Sequence, residues 1–228
     1  MTPGHRAIWV DGVAIGGAIF FVGVAFGVLA RSNGWSVAQA CVMSLTVFTG
    51  ASQFALVGIL GAGGTVAAGV AGALLLASRN AVYGAVVSRW FPEGVMARAA
   101  VAQLVIDEST GLGAAQGDSL DQPAPRARIG FLAGGLSVYI GWNLGTLLGA
   151  MVGRAVGDVG ALGLDAAFPA VFLALLVPHL RARSGLVTAG IAVGIVTLAA
   201  PWAPGGIPVL AALAAIVPGT VLRRAEAK

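Results

Sequence analysis

The sequence predicts an all-α fold: a polytopic integral membrane bundle of seven or eight spanning helices, forming one transmembrane domain over residues 1–228. Three observations lead there. Hydrophobic residues make up 58% of the chain and charged residues 10%, against roughly 25% charged in an ordinary globular domain. So few charges cannot cover a water-facing surface. Charge-free stretches follow one another, the longest from Ser32 to Ser78, and one crossing takes about 20 apolar residues. Glycine contributes 35 residues, about twice ordinary usage, and small residues let helix backbones approach closely in lipid.

The spans follow from charge-free windows and punctuation. Gly12–Ala30 is the first, too long for the apolar region of a signal peptide and so expected to stay in the chain. The window Ser32–Ser78 holds more than one crossing and is divided by "GAGGT" at Gly61–Thr65, giving spans near 37–60 and 65–88. A fourth runs about 98–116, a fifth Ile129–Gly153, and a sixth near 162–180 with Asp165 and Pro169 at its start. "PWAPGGIP" cuts Gly185–Leu222 into a hairpin of two short spans. Eight spans result, or seven if part of the second region is re-entrant. An internal repeat is suggested by "FFVGVAFG" against "YIGWNLGTLLG" and by "SQFALVGIL" against "AAFPAVFLALL".

Arg and Lys bias sets orientation. With eight spans and the N-terminus inside, cytoplasmic segments carry Arg6, Arg126, Arg128, Arg181, Arg183, Arg223, Arg224 and Lys228, while Arg31, Arg89, Arg98 and Arg154 lie outside. Both termini are therefore expected in the cytoplasm. Trp9, Trp35, Trp90 and Trp202 fall at span ends, where amphipathic rings favour the headgroup level. Trp142 does not: it lies mid-span beside Asn143.

Several function classes are disfavoured. The formal charge of +4 comes from scattered arginines, which serve topology and form no nucleic-acid patch. Cys41 is alone and cannot form an internal disulfide. With His5 and His179 it falls short of the four ligands of a structural zinc site. No zinc-protease H-E-x-x-H and no Ser–Lys or Ser–His pairing is evident, so neither an enzyme nor a bound metal or cofactor is expected.

Polar residues inside apolar spans are the candidate functional groups, because lipid offers them no hydrogen-bond partner. In "VFTGASQFALVGIL" (Val47–Leu60), Ser52 and Gln53 stand beside Gly50. Small neighbours there permit a local unwinding, and an unwound segment lines a cavity in broken transporter helices. Further along, Arg79 and Asp107 each lie fourteen residues from Glu93 at the "WFPEG" turn. At about 1.5 Å per residue an antiparallel hairpin brings them to one depth. A charge at mid-bilayer usually pairs or faces a water-filled cavity. Glu108 then leaves one carboxyl in excess, which points towards proton handling. Tyr83 shares a face with Arg79, and Asn143 lies one turn from Tyr139. Gly141, Gly145, Gly149 and Gly153 fall on one helix face, a close-packing surface or a docking face for a second subunit.

"FTGASQFALVGIL", "LLLASRNAVYG" and "LVIDES" together resemble the AzlC family, the large (BrnF-type) subunits of branched-chain amino acid exporters. The likeness runs along nearly the whole chain. Two positions depart: Ala77-Ser78-Arg79 stands where the family commonly shows Asn-Ala-Arg, and Ile106-Asp107-Glu108 where it commonly shows Thr-Asp-Glu. The resemblance implies a multi-pass permease of the bacterial cytoplasmic (inner) membrane. It would export valine, leucine, isoleucine and often methionine, driven by the proton-motive force, with a small AzlD/BrnE-type membrane partner. On this reading Gly50, Ser52, Gln53, Asn80, Tyr83 and Asn143 bind substrate, and Arg79, Asp107 and Glu108 couple transport to protons. The alternatives are a passive channel, which would conduct without saturation, and a non-transporting membrane scaffold.

Overall fold

The computed structural model describes residues 3–91, 94–116, 125–153, 173, 176–203 and 207–226. Among them the regular structure is helical throughout. In order come α1 (Pro3–Ser32), α2 (Val37–Thr46), α3 (Gly50–Gly61), α4 (Val66–Ala77), α5 (Arg79–Trp90), α6 (Val95–Ala102), α7 (Asp107–Ala115) and α8 (Pro125–Val152). After a 3-10 turn at Val177–Arg181 follow α9 (Arg183–Ala199), α10 (Ile207–Ala211) and α11 (Ile216–Glu226). Three stretches are long and apolar enough to cross a membrane: Gly4–Ser32, Val66–Trp90 and Pro125–Val152. The second is α4 and α5 joined through Ser78.

The centre of the bundle is the contact of α1 with α8, built from glycine. A Cβ placed on Gly12 would lie 2.7 Å from Ala133 O, one on Gly16 2.5 Å from Ser137 O, and one on Gly23 2.6 Å from Trp142 O. From the other side, Gly141, Gly145 and Gly149 abut the backbones of Gly16, Phe20 and Val24. Residue numbers rise together on both helices, so α1 and α8 run parallel. The aligned glycine face of α8 is therefore filled by α1 and is not open to a second subunit, correcting one of the two readings above.

Two parallel spans constrain everything between them. The chain leaves α1 at one end of the bundle and must enter α8 at the other. A tight turn at Asn33–Ser36, with a capping box between Ser36 and Gln39, starts α2. It runs back along α8 until Ser44 meets Asn143, halfway down. There the helix stops. Val47, Phe48 and Thr49 leave helical geometry; a run of β-branched and aromatic residues from Thr46, followed by glycine, has low helix propensity. Next, α3 climbs parallel to α1, from Phe54 against Phe26 to Gly61 against Asn33. The stretch expected as one span near 37–60 is thus a hairpin of two half-helices that enters and leaves at one end.

The same device recurs from the opposite end. α4 and α5 descend the full depth to Trp90, whose carbonyl accepts a hydrogen bond from Arg128 Nε near the start of α8. α6 climbs to mid-depth and breaks at Gln103–Ile106. α7 then descends antiparallel to α8, with Gly134 against Ser109, Gly130 against Leu112 and Gly113 against Ala127. The expected span at 98–116 is also a turned-back pair.

This layout moves two arginines. Arg98 Nε donates to Phe91 O at 3.1 Å, and the Arg128 guanidinium lies 5.1 Å from the centre of the Phe91 ring. Arg89 and Arg98 thus share an end with Arg6, Arg126 and Arg128, where crossing spans would have put them at the opposite end. Trp90 sits at a helix end as expected, but is buried against Phe131 rather than facing headgroups. The span expected near 162–180 lies largely outside the described residues, and with it the second half of the suggested repeat. In the C-terminal hairpin, Gly219 of α11 rests on Thr188 of α9.

Gly23→Val forces a side chain into the α8 backbone and should lower stability by about 1–3 kcal/mol. Gly17, six residues earlier on α1, has nothing within 4 Å of a built Cβ. Gly17→Val should therefore change stability by no more than about 0.5 kcal/mol. Thermal unfolding of both variants in detergent checks the contrast.

Candidate functional site

The two breaks meet at mid-depth and hold one another. Ending α2 at Thr46 frees carbonyls that lipid cannot satisfy. Leu45 O accepts from Gln103 Nε2 at 3.0 Å and from Tyr139 Oη at 3.0 Å. Gln103 belongs to the second break, so each hairpin tip depends on the other. On its own side of that break, Ser109 Oγ accepts from Ile106 N at 3.1 Å and donates to Leu104 O at 2.5 Å.

A cavity of about 240 Å³ opens where the tips converge. It is smaller than the roughly 300–1,000 Å³ typical of drug-sized ligands, a size for a small solute. Three half-helices begin at its edge: α3 at Gly50, α5 at Arg79 and α7 at Asp107. α3 points to one end of the bundle and α7 to the other, so the positive ends of their dipoles converge on the cavity. α3 carries no side-chain cap accepting from its first amides.

The charged wall comes from α5 and α7. Arg79 Nη1 lies 2.8 Å from Asp107 Oδ2, and the two side chains are 36% and 30% exposed. Glu108 and Asn80 line the same space. Apolar groups line the rest, with Ile19 and Val22 from α1, Phe48 and Ile106 from the breaks, and Phe54. The Trp142 ring stacks on Phe26 at 5.6 Å between centroids and meets Phe54 edge-on at 6.0 Å. Gly50 has reason to be glycine here, since a Cβ would come within 3.0 Å of the Trp142 ring.

Of the sequence candidates, Gly50, Arg79, Asn80, Asp107 and Glu108 come together around this cavity. The remaining four do not line it. Ser52 opens on a separate, apolar groove of about 590 Å³ between α2, α3 and α4. Gln53 is wholly buried, and neither of its amide atoms has a partner. Tyr83 is one turn further along α5. Asn143 joins α2 to α8, accepting from Ser44 Oγ at 2.7 Å and donating to Tyr139 O at 2.8 Å. Sequence reasoning noticed Thr49 among the polar residues beside Gly50 but did not assign it to the site, and it missed the aromatic walls. For Trp142 the signal existed, because a tryptophan at mid-span is out of place in a headgroup belt.

Arg79→Ala and Asp107→Ala should each destabilise the protein, and the double variant should lose less than the sum. The expected coupling is about 0.5–3 kcal/mol, held towards the lower half because both groups are partly exposed. A double-mutant cycle on thermal stability measures it.

Comparison with curated proteins and with solved structures returns no match. A family model described as AzlC protein matches residues 14–156, more than half of the chain. That segment runs from within α1 past the end of α8, and contains both broken hairpins and every group around the cavity: the chain belongs to the AzlC family, whose role is in membrane transport connected with branched-chain amino acids.

Proposed function

We propose that this chain is the large subunit of a permease exporting branched-chain amino acids, and methionine with them, across the bacterial cytoplasmic membrane. One observation carries the reading: a small cavity at mid-depth, between two opposed broken hairpins, combines an acid–base pair with an apolar and aromatic wall. Broken helices meeting at the midplane are the arrangement in which transporters hold substrate and coupling ion. A zwitterion with an aliphatic side chain matches such a lining. The reading assigns binding rather than catalysis to the site.

Asp107 and Glu108 against a single Arg79 leave one carboxyl to carry a proton, which supports coupling to the proton-motive force. The gathering of Arg6, Arg89, Arg98, Arg126 and Arg128 at one end, with Arg31 at the other, supports a cytoplasmic N-terminus. Arg223, Arg224 and Lys228 favour the same side for the C-terminus. A small AzlD/BrnE-type subunit belongs to this reading through the family. Because the α8 glycine face is occupied, that partner is assigned to the outer surface of the bundle.

Cells loaded with labelled leucine and expressing this chain with its small partner should show saturable efflux that an uncoupler suppresses. Glu108→Gln should leave the protein folded and abolish the response to a pH gradient. Flux linear in leucine concentration would instead indicate a channel, and full coupling in Glu108→Gln would remove that carboxyl from the proton path. Omitting the small partner should abolish efflux; undiminished efflux by the single chain in liposomes would contradict the two-subunit reading.

A further inference from the structure

The cavity has two chemically unlike ends. At one end stand the carboxylates of Asp107 and Glu108, which only accept hydrogen bonds when ionised. At the other, α3 begins without a side-chain cap; Ser52 N donates to Thr49 O at 2.8 Å, and the amides of Gly50 and Ala51 ahead of it are the ones a helix start leaves without intrahelical partners. Two residues that line the cavity beside this start carry unpartnered polar atoms, and a Cβ on Gly50 would come within 3.0 Å of the Trp142 ring. Trp142 is 4% exposed and lines the cavity, and its Nε1 is buried without a partner. Thr49 also lines it, with Oγ1 buried and unpartnered. An indole N–H can only donate, and a buried donor left unmade is costly, about 1–3 kcal/mol. The group missing from this end is therefore an acceptor, and the α3 dipole favours one with negative charge.

We propose that the start of α3, with Thr49 Oγ1 and Trp142 Nε1, forms a carboxylate subsite that fixes the orientation of a small apolar amino acid in the cavity. Its carboxylate faces α3, and its ammonium faces Asp107 and Glu108. The aliphatic side chain lies against Ile19, Val22 and Phe54. Arg79, paired with Asp107, leaves Glu108 as the carboxylate open to the ammonium. The donor-rich end follows from geometry alone; only the identity of the ligand rests on the export reading.

The test is binding of four probes to the purified full chain with its small partner in nanodiscs: leucine, methionine, leucinamide and 4-methylpentanoate. Leucine and methionine should bind, and leucinamide, which lacks the carboxylate, should not. Trp142→Phe keeps the ring and removes the N–H; it should weaken leucine binding about tenfold or more, as expected for a hydrogen bond to a charged group. Thr49→Val should act in the same direction. Unliganded thermal stability separates either loss from misfolding. Leucinamide binding as well as leucine, or unchanged leucine affinity in a folded Trp142→Phe, would overturn the subsite. So would the failure of every carboxylate probe to bind. Binding of 4-methylpentanoate in place of leucine, weakened by Trp142→Phe, would uphold the subsite and refute the amino acid reading.

Discussion

Two helices lying backbone to backbone in parallel govern the rest of this molecule. Along α1 and α8, glycines bring main-chain atoms to distances that leave no room for a Cβ. Such a contact tolerates neither rotation nor sliding of one helix on the other. Because the two run the same way, the chain between them must cross once more, or three times, to re-enter at the correct end. Only Val66–Trp90 makes that crossing among the described residues between α1 and α8. The other helices there, α2 with α3 and α6 with α7, are left to turn back at mid-depth.

Turning back inside a membrane has a cost, because a broken helix exposes carbonyls and amides that hydrocarbon cannot satisfy. The two tips meet that cost together. Gln103 from one tip and Tyr139 from α8 hold the carbonyl that the other tip frees. Among the buried polar atoms left without a partner, Thr49 Oγ1, Trp142 Nε1 and Arg79 Nε belong to residues that line the cavity. A site for a polar solute thus arises from the same breaks that the α1–α8 contact makes necessary. The ion pair of Arg79 with Asp107 ties the crossing span to the second tip at this level.

The all-helical membrane fold was legible in composition and hydropathy, and the break beside Gly50 in the local sequence. The turning-back was legible only as the re-entrant alternative for the second region, and not at all at 98–116. A hairpin of two half-helices over 37–61 presents the same length of apolar sequence as a crossing. Yet α2 and α3, at 10 and 12 residues, each reach only about 15–18 Å, half the hydrocarbon core of about 30 Å. Hydropathy counts apolar residues and is blind to direction. The depth match of Arg79 and Asp107 was readable because a chain that descends and climbs back returns to the same level whether or not it then crosses. Asn143 stands outside the cavity lining for a different reason: it bridges to Ser44, 99 residues away, and no local pattern signals which partner such a bond takes.

The claim that both hairpins turn back is tested most directly by which face of the membrane each loop reaches. In a chain whose native Cys41 is replaced by serine, single cysteines at Ser32, Ala62, Val95 and Ala115 can be labelled from either side with a membrane-impermeant thiol reagent. This structure predicts that Ser32→Cys and Ala62→Cys label from one face, and Val95→Cys and Ala115→Cys from the other. If each segment crossed, Ser32→Cys and Val95→Cys would label together, opposite Ala62→Cys and Ala115→Cys, and the account would fail.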